Sequence, residues 1–170
     1  MKKLTAKWLK DNNACQEAVE QWEKEGGEQD LIKVLNRCIA LKKYDWGNWL
    51  IVRNMTYKQY VSYAVYAAEQ VIDIYEKKHP GDKRPREAIE AAKACIKNPS
   101  AKNKAAAWAA AGAARAAGAA GAAAWAAWAA AWAAWTAAGA AEAARAAGAA
   151  GAAMQEKILK YGIKLLRGQL

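Results

Sequence analysis

Apolar residues recur at helical spacing along most of the chain, and this pattern predicts its secondary structure. Near the N-terminus, Cys15, Val19 and Trp22 are spaced i, i+4 and i+7, which places them on one face of a helix. The C-terminal stretch repeats the pattern with Met154, Ile158, Tyr161 and Leu165. No stretch alternates apolar and polar residues between turns as a strand does. The sequence therefore predicts an all-α fold, a compact multi-helix bundle with closely packed alanine-rich helices.

Polar residues and helix breakers mark the expected helix boundaries. Helix N-caps are expected at three residues whose side chains accept backbone N–H bonds: Asp30, Thr56 and Ser100. Helix ends are expected at Gly26-Gly27, at His79-Pro80-Gly81 and at Asn98-Pro99. Pro85 suits the first turn of a helix because its φ is already fixed there. Tyr44 to Gly47 is expected to form a turn that leads into a short buried helix.

We expect one helical domain that spans residues 1–170, in three parts. Residues 1–98 form a conventional helical half, 99–153 form alanine- and tryptophan-rich helices, and 154–170 form an amphipathic helix. In the first part, the helix after Thr56 is expected to run unbroken to His79. Its predicted inner face consists of Tyr60, Ala64, Ala67, Val71 and Ile74.

Residues 105–153 are dominated by one residue type, since 34 of these 49 residues are alanine. Alanine loses no side-chain freedom on entering a helix, so this segment is expected to be helical. Four tryptophans lie within it at spacings of 3, 4 and 3: Trp125, Trp128, Trp132 and Trp135. At ~100° per residue they fall within ~80° of one another, so they form a single tryptophan stripe.

The tryptophan stripe is expected to be covered. At ~150–250 Å² per indole it presents ~600–1,000 Å² of mainly apolar surface, more than a soluble monomer normally exposes. Alanine and glycine on neighbouring helices can cover it inside the bundle, and a second copy of the chain can cover it in a homo-oligomer. Because ~50 residues in one helix would be ~75 Å long, we expect a reversal near Gly118 to Gly121 or near Gly139.

The sequence argues against a membrane or a secreted protein. The uncharged stretch 116–141 is long enough to cross a bilayer, but it lacks Leu, Ile and Val, and its tryptophans lie in its middle. The N-terminal residues MKKLTAKWLKDNN lack the apolar run of a signal peptide. Three cysteines, Cys15, Cys38 and Cys95, form no C-x-x-C motif, which favours buried, reduced thiols in the cytoplasm.

Most of the net charge of +10 lies in one region. Residues 77–104 hold nine basic and three acidic residues, a local charge of +6, whereas residues 1–76 are neutral overall. The candidate residues for a protein partner or an anion are Lys83, Arg84, Arg86, Lys93 and Lys97. This basic face is either an ordinary solvated surface or a site for a nucleic acid or a nucleotide. Its arginines either pair with Asp45 or Asp73 across the bundle or bind a phosphate at the helix N-terminus.

Catalytic and metal-binding signatures are absent from the sequence. The one histidine, His79, lies in a connector, and a lone histidine supplies neither a ligand cluster nor a catalytic triad. No phosphate-binding loop, G-x-S-x-G, H-E-x-x-H or C-x-x-C motif occurs. We therefore expect a protein that is not an enzyme and that uses no metal and no cofactor.

Two strings between Tyr44 and Ile96 carry a family resemblance. DWGNWLIVR and YAAEQVIDIYEKKHPGDKRPREAIEAAKA, followed by an alanine-rich half, resemble an immunity protein domain of bacterial and phage genomes. The matching positions are Asp45, Trp46, Pro80, Asp82, Arg84, Pro85, Arg86, Ala88, Ile89, Glu90 and Ala91. His79 stands where the family more often has tyrosine. The resemblance implies a small, cytosolic, helical and non-catalytic protein that binds another macromolecule, such as a toxin or a defence component.

These observations predict a non-catalytic binding protein of immunity-like or anti-defence type, which neutralises a partner protein by stoichiometric binding. Two alternatives remain open. One is a binder of an anionic ligand, a nucleic acid or a nucleotide signal, through the basic face. The other is a structural homo-oligomer that assembles through the tryptophan stripe.

Overall fold

The computed structural model describes residues 3–70, 72–116 and 152–170, and this part of the chain is helical and contains no strand. The predicted all-α class is therefore confirmed. The helices are α1 (Ala6–Asp11), α2 (Gln16–Lys24), α3 (Leu31–Ala40), α4 (Tyr44–Val52), α5 (Tyr57–Glu69), α6 (Ile72–Lys78), α7 (Arg84–Lys97), α8 (Ala101–Ala116) and α9 (Ala152–Leu166). The tryptophan stripe and both predicted reversal sites lie outside the described residues.

Side-chain caps start the helices where the sequence predicts them. The Asp30 carboxylate accepts the backbone N–H groups of Ile32 and Lys33, at 2.8 and 3.2 Å. Thr56 and Gln59 cap one another reciprocally at the start of α5. The Ser100 hydroxyl accepts the N–H of residue 103 at 3.2 Å, ahead of the main body of α8. Each cap satisfies N–H groups that a helix leaves unpaired in its first turn.

The predicted helix ends are also confirmed. Gly26 and Gly27 follow α2 with φ of 89° and 65°, a backbone region that glycine enters without steric cost. The helix before His79 ends at Lys78, and the helix before Asn98 ends at Lys97.

The expected turn at Tyr44 to Gly47 is wrong, because these residues form the first turn of α4. The chain reverses just before them, where Lys42 has a positive φ of 56° and the Lys43 N–H bonds the Cys38 carbonyl. Gly47 therefore serves packing and not a turn. A Cβ at this position would lie 2.9 Å from Cδ1 of Leu159, so glycine lets α9 approach α4 closely.

Two further expectations are corrected. The helix after Thr56 is interrupted: α5 ends at Glu69, where the Gln70 N–H is shared between the carbonyls of Tyr66 and Ala67, and α6 begins at Ile72. Cys15 is exposed, because it precedes α2 in an extended conformation and does not share the inward face of that helix. Cys38 and Cys95 are buried as predicted, and all three thiols are free.

Helix α5 lies at the centre of the core and packs against α7 and α9. The side chains along its inner faces are fully buried: Val61, Tyr63, Ala64, Ala67 and Ala68. The Tyr63 hydroxyl donates a hydrogen bond to the side-chain carbonyl of Asn48, the buried polar residue of α4. Helix α9 closes this side of the core with Ile158 and Leu159. Helix α4 packs against both α9 and α3, and α1 packs against α2.

In the described part of the chain, no helix combines the length and the apolar composition needed to cross a membrane.

Candidate functional site

The five basic residues predicted from the sequence are spread along α7 and do not converge on one point. Lys83 is the N-cap residue of this helix and Lys97 is its last residue, which separates them by ~21 Å at ~1.5 Å per residue. At ~100° per residue, Arg84 points away from the side that carries Lys83, Arg86, Lys93 and Lys97. A small anion therefore cannot contact all five.

Three of the five, Arg84, Arg86 and Lys93, are already paired with carboxylates. Arg84 donates from Nε and Nη2 to Asp82, at 2.8 and 3.0 Å. Lys93 lies 2.8 Å from both Glu69 and Glu90. Lys83 and Lys97 are exposed. A phosphate at this face would have to compete with the bound acids.

Arg86 is the most strongly engaged of these residues. It donates from Nε to Glu76 at 2.8 Å and from Nη2 to Asp73 at 3.2 Å. The hydrogen bond to Glu76 raises the pKa of Arg86, and the same bond lowers the pKa of Glu76. The predicted pairing of Arg86 with Asp73 is thus confirmed, whereas no arginine of this face bonds Asp45. Arg86 ties the start of α7 to α6.

A second feature is a cleft of about 900 Å³, which is lined by residues of α1 to α4 and of the segments that join them. We call it the tryptophan cleft, because Trp22, Trp46 and Trp49 line it. All three rings are half-buried. The cleft has the size of a small-molecule site or of a pocket that receives side chains of a protein partner.

Residue spacing on α4 places the aromatic lining. Trp46, Trp49 and Arg53 are three, four and seven residues apart, so they fall on one side of the helix. The opposite side carries Gly47 and Asn48, which are buried toward α9 and α5. The same helix therefore anchors the core with one face and lines the cleft with the other.

Neighbouring side chains hold the tryptophan rings in place. The Lys43 ammonium lies 4.5 Å from the centre of the Trp46 ring. Trp8 meets Trp49 edge to face at 6.0 Å between ring centres. Trp22 donates from its indole N–H to the Glu28 carbonyl at 2.8 Å. These contacts orient the rings, and side chains that are already ordered lose less entropy on binding.

Most charges around the cleft neutralise one another. Arg37 donates from Nε and Nη2 to Glu25, both at 3.0 Å, and Lys33 lies 3.2 Å from Glu28. The hydrogen bond from Arg37 lowers the pKa of Glu25. Burial, with a smaller contribution from the charge of Glu25, raises the pKa of the Cys38 thiol to about 11. Cys38 is therefore a neutral thiol at pH 7 and a poor nucleophile.

Arg53 differs from these paired groups. Its Nη1 donates to the Trp49 carbonyl at 3.1 Å, and its guanidinium carbon lies 4.1 Å from the centre of the Trp49 ring. No carboxylate of the described residues pairs with it. Burial lowers the pKa of this guanidinium, which reflects lost hydration without a compensating negative charge.

The cleft lining holds two thiols, those of the exposed Cys15 and the buried Cys38. Among the described residues, no group of three or more His, Cys, Asp or Glu side chains is arranged to hold a metal ion. The cleft lining contains no histidine, and its buried thiol is neutral. What the cleft offers is flat apolar surface and one unpaired cation.

Comparisons with known protein families, with curated proteins and with solved structures found no match to this chain. The resemblance to an immunity protein domain therefore stays a prediction. One of the two strings that carry it, DWGNWLIVR, supplies Asp45, Trp46, Trp49, Leu50 and Arg53 to the cleft lining.

The cleft was not predicted as a site from the sequence. Its signal lay in the same string, in which two tryptophans and an arginine share a helical face although the helix is apolar on every side. The expected turn at Tyr44 to Gly47 led to a wrong placement of these residues, because a turn at Gly47 would separate Trp46 from the helix that carries Trp49 and Arg53. Trp22, from α2, was expected to be an inner residue of that helix, and the structure places it at the cleft.

Proposed function

We propose that this chain is a non-catalytic binding protein that holds a partner protein in the tryptophan cleft with fixed stoichiometry. The observation that carries the proposal is the half-buried set of Trp46, Trp49 and Arg53 in one concave surface. Tryptophan and arginine supply a disproportionate share of the binding energy at protein interfaces. A cleft lined by such residues is not typical of an ordinary solvated surface.

The biological role that we propose is immunity-like or anti-defence, in which binding neutralises the partner. The resemblance of DWGNWLIVR and the motif around Arg84 to an immunity protein domain supports this role. A cytoplasmic location is part of the proposal, and the three free thiols support it because a reducing compartment keeps thiols unpaired.

Two alternatives remain, with less support. Binding of an anion to the basic face is disfavoured because Arg84, Arg86 and Lys93 already hold carboxylates. Assembly through the tryptophan stripe remains a prediction, since Trp125, Trp128, Trp132 and Trp135 lie outside the described residues.

Affinity capture from lysate, with three forms of the protein as bait, tests the proposed function. The forms are wild type, Trp46→Ala, and a basic-face control that carries Lys83→Ala and Lys97→Ala. We expect wild type and the basic-face control to retain the same protein in a fixed molar ratio, measured by light scattering of the purified complex. The Trp46→Ala form should lose it. Capture that depends on the two lysines and not on Trp46 would contradict the proposal and favour the anion-binding alternative.

A further inference from the structure

We propose that the tryptophan cleft recognises an acidic side chain of the partner protein, and that Arg53 is the residue that binds it. In this arrangement one carboxylate docks on the Nε–Nη2 edge of Arg53, while the apolar side chain next to it packs on the tryptophan rings. The inference rests on the proposed function and specifies the chemistry of the partner segment.

Three other arginines in the described part of the chain show what the Nε–Nη2 edge holds there. Arg37, Arg84 and Arg86 each donate from both atoms to carboxylate oxygens, on Glu25, on Asp82, and on Glu76 and Asp73 respectively. Arg53 bonds the Trp49 carbonyl through Nη1, and its Nε–Nη2 edge donates to none of the described residues. The two N–H groups on this edge have the fork geometry that binds a carboxylate bidentately.

Arg53 is less exposed than an arginine whose N–H groups can all bond to water. Arg167, which follows α9, is exposed to solvent. Arg53 is half-buried and stacked on Trp49, so its guanidinium has already lost part of its hydration. A carboxylate that binds here removes little further water from the cation and forms charge-assisted hydrogen bonds in a partly apolar setting.

The charges around the cleft favour a single negative group over a polyanion. Arg37 and Lys33 are neutralised by Glu25 and Glu28, which leaves Arg53 as the available cation of the described lining. Asp45 also lines the cleft and would repel additional negative charge. A phosphate chain or a nucleic acid needs several cations along its path. One aspartate or glutamate on an apolar partner segment fits this charge distribution.

Two fluorescent probes of similar shape test the chemistry without a known partner. Anilinonaphthalene sulfonate has a flat apolar body with one negative charge, and N-phenylnaphthylamine has a similar body without charge. The full-length chain is titrated with each as wild type, Arg53→Met and Arg53→Lys. Methionine keeps an unbranched apolar stem beside Trp49, and lysine keeps the charge. Arg84→Met is the matched control, since it removes a paired arginine outside the cleft.

We expect the sulfonate to bind wild type at least about tenfold more tightly than it binds Arg53→Met, as charge-assisted bonds in such a setting require. The uncharged probe should bind both forms equally, and Arg84→Met should match wild type. Arg53→Lys should recover only part of the difference, because its ammonium keeps the charge but lacks the planar fork of the guanidinium. Equal sulfonate affinities for wild type and Arg53→Met overturn the role of Arg53. If Arg53→Met binds the sulfonate as tightly as wild type does, but the uncharged probe binds wild type and does not bind Trp46→Ala, the cleft remains the binding surface. Failure of both probes to bind overturns the proposed function as well.

Affinity capture separates a protein partner from a free organic acid. A partner protein retained by wild type should bind Arg53→Met at least about tenfold more weakly, and saturating sulfonate should displace it. A captured protein that binds wild type and Arg53→Met equally would overturn the inference, even if the sulfonate itself depends on Arg53.

Discussion

The guanidinium of Arg53 stacks on the indole of Trp49, with 4.1 Å between the guanidinium carbon and the ring centre. The pair joins two roles of α4. Trp49 packs edge to face on Trp8 and so connects α4 to α1, and Arg53 projects from the end of the helix into the tryptophan cleft. Aromatic support and a hydrogen bond to the Trp49 carbonyl both orient the guanidinium.

Trp49→Ala should destabilise the protein and Trp46→Ala should hardly do so. Trp49 supports both Trp8 and Arg53, and we expect its loss to lower the free energy of unfolding by about 2 kcal/mol, below the value for a fully buried tryptophan. The Trp46 ring contacts the Lys43 ammonium and supports no other aromatic ring of the described residues. We therefore expect Trp46→Ala to lower the free energy of unfolding by less than about 1 kcal/mol. Urea unfolding measures both. Equal losses would show that Trp49 has no special supporting role.

Gly162→Ala should destabilise the contact between α9 and the core. A Cβ at this position would lie 2.7 Å from Cε2 of Tyr63 and 2.5 Å from Cδ1 of Ile51, and both of these side chains are fully buried. Overpacking of this kind costs about 1–3 kcal/mol. Gly81→Ala is the control, because no atom lies within 4 Å of its Cβ position. Thermal unfolding measures both midpoints, and an equal decrease for Gly162→Ala and Gly81→Ala would contradict the close approach at Gly162.

Tyr63→Phe should leave the buried side chain of Asn48 without its hydrogen-bond partner. An unsatisfied polar group in the core costs about 1–3 kcal/mol. The control is Tyr66→Phe, which keeps the ring that stacks on Tyr161 at 3.8 Å. We expect a lower urea midpoint for Tyr63→Phe and almost none of this change for Tyr66→Phe. If Tyr63→Phe is as stable as wild type, the hydrogen bond between α4 and α5 contributes nothing net.

The three cysteines should differ in reactivity toward a thiol reagent. Cys15 is exposed, whereas Cys38 and Cys95 are buried, and burial raises the pKa of both buried thiols. At pH 8 we expect one thiol per native chain to react quickly with Ellman's reagent and the other two to react only after unfolding. Cys15→Ser should abolish the fast reaction. A second fast thiol in the native protein would show that the interior opens readily.

Local chemistry explains why the helix boundaries could be predicted. Asp30, Thr56 and Ser100 cap helices through their own side chains, and Gly26 tolerates a positive φ, so each signal acts within a few residues. The errors arise where distant packing decides. Gly47 is typical of a turn in sequence, but Leu159, more than a hundred residues later, requires it inside a helix. Between α5 and α6, no glycine or proline marks the break after Glu69.

The same distinction applies to the candidate site. Charge density identified the basic face, but charge alone does not reveal that Arg84, Arg86 and Lys93 hold carboxylates. Some of these partners, such as Glu69 and Glu76, lie on other helices. The tryptophan cleft depends on α1 to α4 meeting around one space, which helical periodicity in a single segment does not show. The sequence also does not show that the Nε–Nη2 edge of Arg53 is unpaired, because this depends on the three-dimensional positions of the surrounding carboxylates.

The affinity of the captured partner for three forms of the chain tests the central claim most directly. Isothermal titration of the partner into wild type, Arg53→Met and Arg84→Met compares the free arginine of the cleft with a paired arginine outside it. The account predicts a dissociation constant at least about tenfold higher for Arg53→Met and an unchanged one for Arg84→Met. Equal affinities for wild type and Arg53→Met, or a loss confined to Arg84→Met, would contradict it.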